Sequence, residues 1–288
     1  MERQKQTQKK KENMKKLNFQ DIFDKIKKDP AMVHCITNYV TINDVANIIL
    51  AMGASPIMAD DPLEVCEITS ICKSLVINMG TLKQNTVKSM LLAGKKANEL
   101  GHLVVLDPVG VGASVFRKET ALRLINEIQF DVIRGNISEI KTLYKGSEKS
   151  YGVDAKEDDA VTQDNLEQVI RMAKEMAQKT KAVIVITGKT DMITDGQTVY
   201  LVRNGVSEMS RITGTGCMLD GVIAGFIGSN KDQVLESCTA AVSAMGICGE
   251  YAKEHAEGTG TLKVYLMDAM SNMDAEWMER SSQIESRC

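Results

Sequence analysis

SLVINMGTLKQNTVKSMLLAGKKANELGHLVVLDPVG, residues 74–110, reads as a strand, a helix and a second strand. SLVIN and LVVLD are short, almost unbroken apolar runs, the pattern of strands buried on both faces. TVKSMLLAGKKANEL between them repeats apolar residues at helical spacing and stops at a glycine. A helix between two such strands makes them parallel neighbours.

The same unit recurs along the chain. MVHCIT runs into a helix opening near Asn43, SPIMA precedes LEVCEITSIC, and LVVLDPVG precedes ETALRLINEI. DVIRGN precedes ISEIKTLYKG, and AVIVITG closes the run. The pattern predicts a three-layer α/β/α fold with a mostly parallel central sheet. MITDGQTVYLV differs: Asp195-Gly196 between two β-rich runs predicts a type I′ hairpin extending one edge of the sheet. A helix from Gly216 or Cys217, the segment DQVLESCTAAVSAMGICGEYAKEH and a last helix from about Thr261 follow. The polar loop KGSEKSYGVDAKEDDA belongs on the surface. No internal repeat is present.

Composition narrows the function. At 43% hydrophobic and 25% charged residues, the 288-residue chain is a soluble globular protein able to bury a large core. Its net charge of −3 hides a basic start, since residues 1–16 carry a net +5 and the remainder −8. That stretch reads as a disordered tail, and residues 17–288 as one domain. An acidic body argues against nucleic acid as a partner. The tail lacks the apolar core of a signal peptide, and no run of about 20 apolar residues could span a membrane; the expected location is the cytoplasm. Seven cysteines without a CxxC pair make neither a disulfide framework nor a zinc site.

The predicted strands end near Asn38, Met58, Gly80, Asp107, Arg134 and Thr187. Ligands of parallel sheets bind at these carboxyl ends, so six distant segments converge on one site. Nucleotide motifs are incomplete: GKT at 188–190 would need a glycine where Val183 sits, and GVG at 110–112 and GTG at 214–216 lack a third glycine. GTGC, Gly214 to Cys217, still offers unobstructed backbone N–H groups at a helix N-terminus, an anion pocket suited to a migrating phosphoryl group. Cys217 could accept a hydroxyl proton, with its thiol acidified by that helix end. The same string also suits a close-packed turn with a buried thiol. In RGNISEI, Asn136 and Glu139 form either a capping box or a water-mediated Mg²⁺ site. Asp107 in LDPVGVGAS either turns the chain or shares that metal.

ITNYVTINDVAN, MGASPIMA, INMGTL, VVLDPVGVGAS, VIRGNISEI, VITG and GTGC, in this order, resemble the ribokinase-like small-molecule kinases, and specifically the hydroxyethylthiazole kinase family. The resemblance runs from about Phe19 to Ser271. Its cysteine in GTGC is specific, because most ribokinase-like relatives carry Asp there. The resemblance implies phosphorylation of the primary hydroxyl of 4-methyl-5-(2-hydroxyethyl)thiazole by Mg-ATP, in salvage of a thiamine precursor. It maps thiazole contacts onto Asn38, Val40, Met58 and Gly214, and ATP contacts onto Arg134 and Thr187. Mg²⁺ maps onto Asp107 and Glu139. Gly214, Thr215 and Gly216 become anion-hole amides, with Cys217 beside the hydroxyl.

MVHCIT passes almost directly to the Asn43 helix and leaves no room for the small lid sheet of many sugar kinases. Phosphoryl transfer must still exclude water, and the family's trimer, with an acceptor site shared between subunits, implies a homotrimer here. Two features depart from expectation. Asp44 in INDVAN is acidic where the family pattern is less charged, and reads as solvent-facing. YGVDAKEDDA is strongly acidic for a region near a nucleotide. Other readings are a hydroxymethylpyrimidine kinase, a nicotinamide-nucleotide-hydrate dehydratase, a non-catalytic nucleotide-binding regulator, and a cysteine redox sensor. Cys217 argues against the first two, and the sensor lacks a nearby resolving cysteine.

Overall fold

The computed structural model describes residues 17–147 and 165–287. The basic stretch 1–16 and the acidic stretch within 148–164 lie outside the described residues. The elements are α1 (Phe19–Lys28), β1 (Met32–Ile36), α2 (Ile42–Ala51), β2 (Ser55–Met58), α3 (Val65–Ile71), β3 (Ser74–Asn78) and α4 (Gln84–Leu100). Then come β4 (Leu103–Asp107), α5 (Val115–Glu127), β5 (Val132–Asn136), α6 (Ile137–Ser147), α7 (Leu166–Thr180) and β6 (Val183–Thr187). After β7 (Asp191–Thr194), β8 (Val199–Val202) and a 3₁₀ turn (Ser207–Arg211), the chain continues as α8 (Thr215–Ser229), α9 (Val234–His255), α10 (Thr259–Ser271), α11 (Ala275–Ser281) and β9 (Ile284–Arg287).

All nine strands form one sheet in the order β2-β1-β3-β4-β5-β6-β7-β8-β9. β1 to β6 are parallel, as the repeated strand–helix units require, and β7 to β9 are antiparallel. Side chains alternate between two cores. Val104, Leu106, Ile184 and Ile186 join a cluster with α3 to α7, while Val105, Val183 and Val185 join a second with α1, α2 and α8 to α11. This three-layer arrangement is the expected ribokinase-like fold, and no strand among the described residues stands apart as a lid.

Some local readings change. β7 and β8 pair from Thr194 opposite Val199, leaving residues 195–198 as a four-residue loop. A type I′ turn needs two left-handed residues, yet Asp195 is not left-handed, and only Gly196 is, at φ 93°. The Asp195 carboxylate instead accepts from the N–H groups of Gln197 and Thr198 at 2.8 Å each. β9 covers the outer edge of β8, so the hairpin is not the sheet's last strand. Asp44 is buried rather than solvent-facing: its carboxylate pairs with Lys263 of α10 at 2.6 Å, locking α2 to α10.

β1 lies between β2 and β3, so the chain turns to one side of it for β2 and then crosses to the other side for β3. This switch point opens a crevice beyond the carboxyl ends of β1 and β3. α8 crosses beneath β1, β3 and β4, and its N-terminus emerges there.

Candidate active site

Four of the parallel strands, β3 to β6, deliver a polar group to that crevice. Asn78 and Asp107 are the last residues of adjacent strands and sit in register. Asn136 and Thr187 end β5 and β6 and pair likewise, with Arg134 two residues earlier on β5. The Arg134 guanidinium donates from Nη1 to Asp107 Oδ2 and from Nη2 to Thr187 Oγ1, both at 3.1 Å. The structure therefore joins Asp107, Arg134 and Thr187 in one cluster.

Two residues not singled out from the sequence complete it. Asp220 lies one turn below Cys217 on α8, with its Oδ1 3.7 Å from Arg134 Nη1. The Asn78 amide nitrogen faces Asp107 Oδ2 at 2.8 Å, Asp220 Oδ2 at 3.0 Å and Cys217 Sγ at 3.4 Å. A signal for each was present. Asp220 is the one charged residue of the otherwise apolar α8, and Asn78 is the one amide of a buried strand. A polar group so placed must find a partner or a task.

The cluster's electrostatics follow from burial. Burial would depress the Arg134 charge, but Asp107 and Asp220 overcome it and hold the guanidinium's pKa above its ordinary value. Burial, then repulsion from Asp107, push Asp220 well above the usual carboxylate range. Burial also raises the Cys217 thiol to about 11, with Asp220 adding to the effect. This runs against the expected acidification: burial and the neighbouring carboxylates outweigh the lowering by the Arg134 charge.

The GTGC turn meets both sides of the site. Gly214 caps α8 at φ 89°, a left-handed conformation that favours glycine. A β-carbon there would come within 2.3 Å of Thr41 Cγ2. The helix begins at Thr215, one or two residues earlier than the expected Gly216 or Cys217. The N–H groups of Thr215, Gly216 and Cys217 find no acceptor among the described residues, the ordinary state of a first helical turn. Donors without acceptors beside a buried guanidinium suit an anion.

Asn38 shapes the opposite wall. Its Oδ1 accepts from Val40 N–H at 2.9 Å, and its amide rests on Gly80 so closely that a β-carbon there would lie 2.3 Å from Nδ2. Met58 ends β2 opposite Cys35 of β1 and packs on the core. Val40 points outward and is 67% exposed, so the chain alone does not bring it against the Arg134 cluster. Thr41 links this wall to the turn, because its Oγ1 donates to Asn38 O at 3.4 Å while its side chain faces Gly214.

Glu139 forms the capping box with Asn136: its N–H donates to Asn136 Oδ1 at 2.9 Å, and its Oε2 accepts from Asn136 N–H at 2.8 Å. Its Oε1 also accepts from Gly110 N–H at 2.9 Å, which ties α6 to the loop after β4. Burial, then Asp107, raise its pKa. Asp107 Oδ1 is buried without a hydrogen-bond partner. Asp191 is a further carboxylate at this end of the sheet, accepting from Gly188 N–H at 2.8 Å and pushed up to about 7 by burial.

The sequence pattern of the "Hydroxyethylthiazole kinase family" matches residues 23–276. The chain belongs to that family. A hydroxyethylthiazole kinase of Clostridium acetobutylicum is 54% identical over 258 residues, 88% of this chain and 94% of that protein. The structure of a hydroxyethylthiazole kinase from Pyrococcus horikoshii superposes with a TM-score of 0.84 at 30% identity, covering 94% of this chain and 99% of that one. A ribokinase-like superfamily protein of Enterococcus faecalis, 12% identical with a TM-score of 0.59, covers 88% of each chain and shares the fold. Membership of the family makes the chain a kinase.

Proposed function

We propose that the protein transfers the γ-phosphoryl group of ATP to the primary hydroxyl of 4-methyl-5-(2-hydroxyethyl)thiazole, in thiamine salvage. One observation carries the reading. The GTG turn, with its two glycines and its unengaged N–H groups, lies against the Arg134 guanidinium, so amides and a fixed cation converge on a single anion.

Arg134 and Thr187 hold the nucleotide phosphates, while Asn38, Val40, Met58 and Gly214 hold the thiazole alcohol. The hydroxyl oxygen attacks the γ-phosphorus as the bond to the β,γ-bridging oxygen breaks; ADP departs, and the hydroxyl proton passes late to an oxygen of the transferred phosphoryl group and from there to solvent. Charge on the migrating group spreads over its equatorial oxygens, and the amides of Gly214, Thr215 and Gly216 receive it. With its thiol raised to about 11, Cys217 stays protonated at neutral pH. It positions the hydroxyl rather than acting as an obligatory base, since a loose transition state needs little early deprotonation.

The donors suit Mg²⁺. Asp107 offers a buried oxygen without a partner, and Glu139, with each oxygen engaged by one amide, has lone pairs left for water-mediated contact. Bound there with ATP, Mg²⁺ would neutralise phosphate charge. A homotrimer with a shared acceptor site would cover Tyr39 and Val40, which are 43% and 67% exposed in one chain. Among the described residues no helix is long and apolar enough to cross a membrane, and we place the enzyme in the cytoplasm.

ADP release with Mg-ATP and a panel of heteroaromatic alcohols tests the assignment. The thiazole alcohol is expected to turn over best. Preference for a hydroxymethylpyrimidine would favour that kinase, and ATP binding without consumption would favour a regulator. Light scattering in solution tests the trimer.

A further inference from the structure

Arg117 stands in the first turn of α5, where a cation opposes the helix dipole. Its guanidinium donates from Nη1 to Met79 O at 2.5 Å and Val109 O at 2.7 Å, and from Nη2 to Gly80 O at 2.7 Å. These are three backbone carbonyls on two separate loops. Among the described residues no carboxylate pairs with it. A planar fork with several donors can bridge such carbonyls at once, which a single ammonium on a flexible stem cannot.

The two loops have different duties. The loop after β3 carries Gly80, which packs on the Asn38 amide, and Gly80 N–H donates to Asn78 Oδ1 at 2.9 Å. The loop after β4 follows Asp107 and carries Gly110, whose N–H donates to Glu139. We infer that Arg117 is a positioning residue: it locks the acceptor wall to the Asp107–Glu139 side, so that the acceptor oxygen and the phosphoryl group keep one spacing. The inference rests on the kinase reading above. It also assigns a task to a side chain that touches no reactant.

The test uses the full-length protein with Arg117→Ala and Arg117→Lys. For both, kcat is expected to fall at least about tenfold and the acceptor KM to rise, with ATP affinity within about twofold, because Arg134 and Thr187 stand on other strands. A small alkylguanidinium is expected to restore part of kcat to Arg117→Ala and none to Arg117→Lys. Hydrogen exchange is expected to accelerate at the Gly80 and Gly110 amides while the sheet stays protected. Unchanged kinetics, loss of ATP affinity in proportion to kcat, or unaltered exchange at both glycines would each overturn the inference. If Arg117→Ala fails to fold, Arg117→Lys decides on the same criteria. If the wild-type protein leaves the thiazole alcohol unphosphorylated, the kinase reading fails, and exchange at the two glycines still decides the clamp.

Discussion

Gly216 lies so close to Arg134 that a β-carbon on it would come within 2.8 Å of both terminal guanidinium nitrogens. The guanidinium cannot simply retreat, because Asp107 and Thr187 hold it from the other side. Glycine therefore fits here because the neighbouring guanidinium leaves no room for a β-carbon.

Gly216→Ala should raise the ATP KM about tenfold or more, since displacing Arg134 by a few tenths of an ångström spoils two oriented hydrogen bonds. Gly214→Val should abolish transfer, because it forces a β-branched residue into a left-handed bend against Thr41. Steady-state kinetics with each substrate varied in turn checks both.

Cys217→Ala should lower kcat by less than the about 10²-fold loss that removal of an obligatory base causes. Iodoacetamide labelling followed against pH should show no thiolate at Cys217 below about pH 9, given a thiol raised to about 11. A thiol titration depressed to near neutrality would restore the base mechanism.

Thermal stability should fall as pH rises above the ordinary thiol range. Burial raises Cys35, Cys72, Cys217, Cys238 and Cys248, so the unfolded chain loses these protons first and gains from alkali. Differential scanning calorimetry between about pH 7.5 and 10 measures the slope.

Asp191 adds a second, more acidic window. Burial raises its pKa from 3.8 to about 7. The folded state thus keeps a proton that the unfolded state releases first, and stability should decline as pH climbs through that interval. Asp191→Asn should flatten the decline while keeping an oxygen for Gly188 N–H. An unchanged pH profile would remove Asp191 from the account.

Asp220→Ala should cost about 3–5 kcal/mol, because it strips Arg134 and Asn78 of a buried partner. Asp220→Asn should cost less, since a group pushed well above the carboxylate range tolerates a neutral isostere. Urea denaturation of both variants makes the comparison; equal losses would mean that the negative charge itself is needed.

Much of the site was legible because strand ends are legible. LVVLD and VIVIT carry Asp107 and Thr187 to the crevice by ending where they do, and RGNISEI announces its capping box in four letters. Asn78 and Asp220 escaped attention although each is a lone polar residue in an apolar segment. Their importance comes from one another, and they are 142 residues apart in the chain. The Asp195-Gly196 turn failed for a local reason, as an Asp side chain accepting two amides stabilised a longer loop than the dipeptide suggests.

The sequence by itself determined the parallel alternation, the family and the glycine turn, all of which depend on short-range pattern and chain order. Only the tertiary structure decided how charges share the site: Asp44 inside a pair with Lys263, Cys217 less acidic than its helix end implies, and Arg134 divided between two carboxylates. Ionisation depends on the water excluded and the charges gathered around a group, and residues remote in sequence supply both.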